Sequence, residues 1–121
     1  MAKTIDYEFK RGDTNVLEKF RVIDQEKNIM QLTDNEQLYF TVKTNPNSNQ
    51  VLIQKTIKNG IYLEEDGYYH ITLEPNETSK LNYGTYVYDI ELKSISPKLF
   101  VKTLIEGTIT LTDEVTWEGD E

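Results

Sequence analysis

Apolar and polar residues alternate through most of this chain, the spacing of a strand with one face buried and one in water. Ile5, Tyr7 and Phe9 alternate with Asp6 and Glu8 until Arg11-Gly12-Asp13, which reads as a turn. Val16, Phe20 and Val22 carry the next alternating set, with charged Lys19 and Arg21 between them. The opening stretch is therefore expected to form two strands, or one strand bent at Gly12. Asp24-Gln25-Glu26-Lys27-Asn28 reads as a polar turn, Met30-Gln31-Leu32 as irregular structure, and Leu38, Phe40 and Val42 as the next strand.

Thr44-Asn45-Pro46-Asn47-Ser48-Asn49 is the most turn-like segment, because Asn tolerates left-handed backbone and Pro removes a donor. Val51, Ile53 and Ile57 share a parity, and Asn59-Gly60 then supplies the residues of a tight hairpin, with Ile61 and Leu63 on the return strand. Asp66-Gly67 marks a further turn before Tyr69, Ile71 and Leu73. Pro75 ends that strand, and a single helical turn is expected from about Asn76. Tyr86, Tyr88, Ile90 and Leu92 share one face, and Ser94 to Pro97 makes a turn. From Leu99 to Leu111 the odd positions form one long run, in which Gly107 is expected to bend the strand or seat a bulge.

Short strands separated by regular turn signals, with no sustained helical period, predict an all-β chain. The expected form is an antiparallel immunoglobulin-like β-sandwich of about seven to nine strands. In such folds a tyrosine near the start of the penultimate strand bonds to backbone a few residues upstream and closes the corner. Leu81, Gly84 and Tyr86 are placed for that corner, with Tyr88 where antibody domains carry a buried cysteine; tyrosine is also simply a good strand former. A length of 121 residues suits one domain over 1–121, ending in an acidic tail from about 117 to 121.

Charge narrows the partners. With 21 acidic and 13 basic side chains the chain carries −8, which repels phosphate backbones and anionic headgroups, so neither nucleic acid nor membrane is an expected partner. There are no cysteines, which excludes disulfides and thiolate chemistry. No apolar stretch has the length of a signal peptide or a membrane span.

Little in the sequence points to catalysis. His70 lies alone in a strand and reads as a surface residue. Glu64-Glu65-Asp66 could offer oxygens to a hard cation, but lacks the spacing of a calcium loop. Arg11-Gly12-Asp13 spells an adhesion tripeptide, which a simple turn explains. Tyr39 and Tyr68 fall on outward positions and are the candidate surface contacts, since an exposed tyrosine suits protein or sugar. No phosphate loop, nucleophile elbow or metalloprotease motif is present, so no enzyme, cofactor or metal is expected.

One set of segments carries a resemblance through its order: Phe9-Lys10-Arg11-Gly12-Asp13-Thr14, Leu38-Tyr39-Phe40-Thr41-Val42-Lys43, Leu52-Ile53-Gln54-Lys55, Tyr69-His70-Ile71-Thr72-Leu73, Leu81-Asn82-Tyr83-Gly84-Thr85-Tyr86-Val87-Tyr88-Asp89-Ile90, Glu106-Gly107-Thr108-Ile109 and Glu114-Val115-Thr116. Together they resemble the small β-sandwich module of tailed phages and prophages of Gram-positive bacteria, similar to the N-terminal domain of upper baseplate proteins. The resemblance implies a non-enzymatic structural protein of the tail or baseplate, resident in the virion and made in the host cytoplasm. Its implied partners are other phage structural proteins or further copies of itself, with no cofactor. The alternative expectation is a carbohydrate-binding module that contacts the host wall through Tyr39, Tyr68 and the Glu64 to Asp66 turn.

Overall fold

The computed structural model describes residues 2–23, 26–30, 32–95 and 99–112. Along these the chain forms β1 (Lys3–Thr4), β2 (Tyr7–Lys10), β3 (Asn15–Val16), β4 (Glu36–Lys43), β5 (Ile53–Ile57), β6 (Gly60–Leu63), β7 (Tyr69–Leu73), α1 (Pro75–Thr78), β8 (Gly84–Ser94) and β9 (Phe100–Thr112). The expected acidic tail, together with Val115 and Thr116, lies outside the described residues, as do Ser96 and Pro97 of the expected turn.

The protein is all-β, built on a curled sheet in the order β1-β9-β8-β4-β5-β6-β7-β3, with β2 also pairing β9. The long strands β4, β8 and β9 are antiparallel neighbours. β1 and β2 run parallel to β9, so the first strands of the chain rest on the last. Alternation sends Leu38, Phe40 and Val42 from β4, and Tyr86, Tyr88, Ile90 and Leu92 from β8, to the inner face. Ile61 from β6 and Ile71 and Leu73 from β7 meet them in the same buried cluster, so the curl closes around one core.

Three expectations change. Asn59-Gly60 does not make a hairpin that returns along β5. Reciprocal backbone hydrogen bonds between Thr56 and Asn59 close a tight loop, and β6 then leaves parallel to the end of β5. Lys58 at φ 70° and Gly60 at φ 109° supply the left-handed backbone this needs. The glycine signal was real, but its use is to carry the chain round the curl to pair with β7.

The second change concerns parity near the start. Val16 is exposed, whereas Leu17, Phe20 and Val22 are buried, because only Asn15 and Val16 pair regularly with β7 before the chain continues irregularly. Phe20 keeps an isolated bridge to Tyr69. The third change is the bulge in β9, which sits at Leu104 and not at Gly107. Ile90 faces Ile105 and Glu91 faces Thr103, leaving Leu104 as the extra residue. Beyond it Leu99 and Val101, read as part of the same odd-position run, are exposed at the end of the β8–β9 hairpin.

The helical turn forms one residue earlier than expected, with Pro75 at its start and a reciprocal cap between Glu74 and Glu77.

Candidate functional site

The corner is assembled from residues far apart in sequence. The Tyr86 hydroxyl donates to the Asn82 carbonyl at 2.7 Å, tying the start of β8 to the loop before it. Gly84 opens β8 at φ 141°, a conformation that disfavours a side chain. Leu81 is half-buried against the core, and its carbonyl accepts a hydrogen bond from Arg11 Nε at 2.6 Å.

Arg11 also donates to the Ser79 carbonyl at 2.6 Å and lies over the Tyr83 ring at 5.1 Å. Next to it the Gly12 amide donates to Thr78 Oγ1 at 2.9 Å. The Arg11-Gly12-Asp13 turn therefore clamps the segment after α1, with its guanidinium spent on backbone carbonyls of the same chain. Removing one hydroxyl from this corner, Tyr86→Phe, is expected to cost about 1 kcal/mol, read as a lower midpoint in urea at unchanged slope. An unchanged midpoint would mean that the bond carries no net stability.

A second junction fastens the N-terminal strand. Between β1 and β2 the Ile5 carbonyl accepts from the Tyr88 hydroxyl at 2.7 Å, and Asp6 Oδ1 accepts from the Thr108 amide at 3.0 Å. Burial pushes the Tyr88 phenol far up from its ordinary range, so it remains a donor.

On the outer face of β4, β8 and β9 a shallow cleft of about 590 Å³ runs across Thr41, Lys43, Asp89, Glu91, Glu106 and Thr108. Partial burial raises the Asp89 pKa, with help from Glu91 and Glu106 and against Lys43. A carboxyl whose folded pKa is raised binds its proton more tightly folded than unfolded, so stability rises as pH falls from neutral through that pKa. Asp89→Asn is accordingly expected to raise the thermal midpoint at pH 7. The gain over the parent should shrink as pH drops toward the ordinary carboxylate range, and a gain independent of pH would refute this account.

The two candidate contact tyrosines are not brought together. Tyr39 is half-buried on β4 between Thr56 and Glu91, whereas Tyr68 lines a separate groove beside β9, beneath the Arg21 guanidinium at 4.6 Å. His70 Nδ1 lies 3.2 Å from Glu64 Oε1, off the direction of a hydrogen bond, and its ring packs near Tyr62. Asp66 caps its own turn by accepting from the Tyr68 amide at 3.0 Å. Among the described residues no group of three or more potential ligands gathers to hold a metal ion.

Sequence reasoning missed the ion pair inside the protein. Lys55, on the inner face of β5, reaches Glu77 Oε1 and Oε2 at 2.9 and 2.8 Å. The signal was present, since Lys55 shares its parity with Ile53 and Ile57, but the lysine was not read as buried. It also missed the exposed apolar residues: Ile23 and Ile29, which bridge each other, and Ile95, Leu99, Phe100 and Val101 on either side of the β8–β9 connection. No protein-family model matches the chain, and no curated protein matches it either.

Proposed function

We propose that this protein is a non-enzymatic structural component of a phage or prophage tail or baseplate, an immunoglobulin-like sandwich that works through contacts with other proteins. The strand arrangement supports the finer fold reading. β1 and β2 on β9, followed by β8, β4 and β5, correspond to one sheet of such a sandwich, and β6, β7 and β3 to the other. The parallel pairing of the first strands with the last, and the Tyr86 to Asn82 corner at the head of β8, agree with it.

One observation carries the functional half of the reading. The ordered segments of the resemblance fall on the elements that hold the fold together: Arg11 on the corner carbonyls, Gly107 beneath the Ile5 carbonyl, Tyr88 bonded to that carbonyl. A small scaffold whose distinctive residues are occupied in this way leaves its surface for docking, and the exposed Ile95, Leu99 and Phe100 beside the β8–β9 connection are suited to a protein partner.

Co-expression with the products of the adjacent genes tests this. A stable complex that survives size separation is expected, and a protein that binds none of them would contradict the assembly role. The sugar-binding alternative rests on Tyr39, Tyr68 and the Glu64 to Asp66 turn, and Tyr39 does not line the groove that holds Tyr68.

A further inference from the structure

The core face of β6 and β7 is left open at one end. Ile61 and Leu63 share a parity on β6, opposite Ile71 and Tyr69 of β7. Ile61 is fully buried, whereas Leu63, two residues on and on the same face, is 60% exposed. The strands that would cover it part company there. β5 stops pairing with β6 at Ile57, and β4 stops pairing with β5 at Tyr39, beyond which the Ile57 amide turns to the Gln37 side-chain oxygen at 2.8 Å. A groove of about 480 Å³ remains, with Leu32, Ile57, Ile61 and Leu63 as its apolar lining.

Three features of this groove point to an occupant. The first is Tyr69, which also lines it although only 5% exposed, its ring stacked on Phe20 at 5.7 Å. Burial raises the phenol pKa, with help from the Glu36 carboxylate at the groove, so the hydroxyl stays a donor. Among the described residues that hydroxyl has no hydrogen-bond partner. A donor so nearly buried and left unpaired is costly, unless something entering the groove accepts from it.

The second feature is main chain. The Ile61 carbonyl accepts from Lys58, and the Glu64 amide donates to Tyr68 on β7. Successive residues of a strand face opposite sides, so the Leu63 N–H and C=O point away from β7, toward the groove. No described strand pairs with them there. Free main-chain groups beside apolar pockets are what an extended peptide uses, and a small apolar molecule does not need them.

The third feature is charge. Asp34, Glu36 and Lys58 line the groove, two carboxylates against one amine. Glu36 Oε1 is held by the Thr33 amide at 2.8 Å, which fixes that wall. The Asp34 carboxylate has neither a hydrogen bond nor an ion pair among the described residues. A basic side chain is therefore favoured beside them.

We propose that this groove takes an extended segment of a partner protein, with an apolar side chain on Leu32, Ile57 and Leu63, a main-chain carbonyl on the Tyr69 hydroxyl, and a lysine or arginine beside Asp34 and Glu36. This goes beyond the assembly reading and rests on the groove alone.

Three blocked peptides test it by amide chemical shifts of the isotope-labelled full chain: acetyl-Lys-Leu-Lys-amide, its acidic counterpart acetyl-Glu-Leu-Glu-amide, and acetyl-Lys-Ser-Lys-amide. The first is expected to shift Thr33, Lys58, Leu63 and Tyr69, and to bind about tenfold or more tightly than either of the others. Added salt should weaken it. Leu63→Glu and Asp34→Lys, both at exposed positions, should each weaken binding by about tenfold without changing the circular dichroism. Tyr69→Phe keeps the ring against Phe20 and removes only the hydroxyl. It should weaken binding by about threefold while leaving the thermal midpoint of the free protein unchanged or raised, because the hydroxyl has no partner to lose.

No shift with the first peptide at about 10 mM, equal binding of the acidic peptide, or binding that survives Leu63→Glu would each overturn the proposal. So would a Tyr69→Phe midpoint below the parent's, which would place a partner for the hydroxyl within the chain. Isobutanol binding as tightly as the peptide would replace the segment with a small apolar ligand, and the same shifts on concentrating the protein alone would replace it with a second copy. Particle content is a separate readout: an inert groove on a chain found in particles would remove this proposal alone, and a binding groove on a chain absent from them would remove the virion reading alone.

Discussion

Gly107→Ala is expected to destabilise the protein by about 3 kcal/mol, far more than one methyl group costs at an ordinary strand position. Gly107 pairs with Tyr88 inside β9, and its backbone has no special dihedral; what it needs is room. A Cβ there would overlap the Ile5 carbonyl oxygen, with the Ile5 carbonyl carbon at 2.8 Å and Asp6 Oδ1 at 2.9 Å. The neighbours are backbone and a fixed carboxylate, so nothing flexible can yield. Moving Ile5 away would also take the Tyr88 hydroxyl bond and the Ile5 amide bond to Glu106 with it. Denaturant titration measures the loss, and amide exchange should locate it at residues 3–8. A variant within about 0.5 kcal/mol of the parent would show that the N-terminal strand is not held as described.

The other large effect is expected at Glu77, and it should be asymmetric. Lys55 is 8% exposed, with its ammonium bonded to both oxygens of Glu77. Glu77 is the more hydrated partner, at 24% side-chain exposure against 10% for Lys55, and it also closes the cap on the Glu74 amide at 2.8 Å. Glu77→Ala strands a buried ammonium and opens the cap, for an expected loss of about 3–5 kcal/mol. Lys55→Met leaves a carboxylate that water and the Glu74 amide still reach, and its loss should be about 1 kcal/mol. The double variant should fall below Lys55→Met alone only by the lost cap, about 1 kcal/mol, since the costly state is the unpaired lysine. A double-mutant cycle measures this, and equal losses for the two single variants would contradict it.

These two sites mark the limit of what periodicity conveys. The alternation of Leu38, Phe40 and Val42, of Tyr69, Ile71 and Leu73, and of Tyr86 to Leu92 corresponds residue for residue to the buried face, because each of those strands keeps an unbroken register with at least one neighbour. Asn59-Gly60 announced a tight turn equally well. Nothing local says whether the strand after such a turn pairs with its predecessor or swings to another partner, and here Ile61 goes to Ile71. Lys55 reads as an outward residue by type and an inward one by parity, and only the carboxylate of Glu77, supplied from 22 positions away, lets parity win.

Gly107 was legible as a special position in a long strand, but not its reason. The parallel pairing of β1 and β2 with β9 joins the two ends of the described chain, and a contact of that range leaves no trace in spacing. The corner was more accessible, because Tyr86 and Asn82 are only four residues apart. Arg11, which reaches the same loop from 70 positions away, looked like an exposed turn.

The place proposed for this chain, in a phage particle, is open to direct test. Quantitative mass spectrometry of particles purified from the strain that encodes it tests this most directly. The account predicts peptides of this chain in intact particles, at several copies per tail and retained through density-gradient purification. Their absence from particles that contain the neighbouring tail proteins would contradict it.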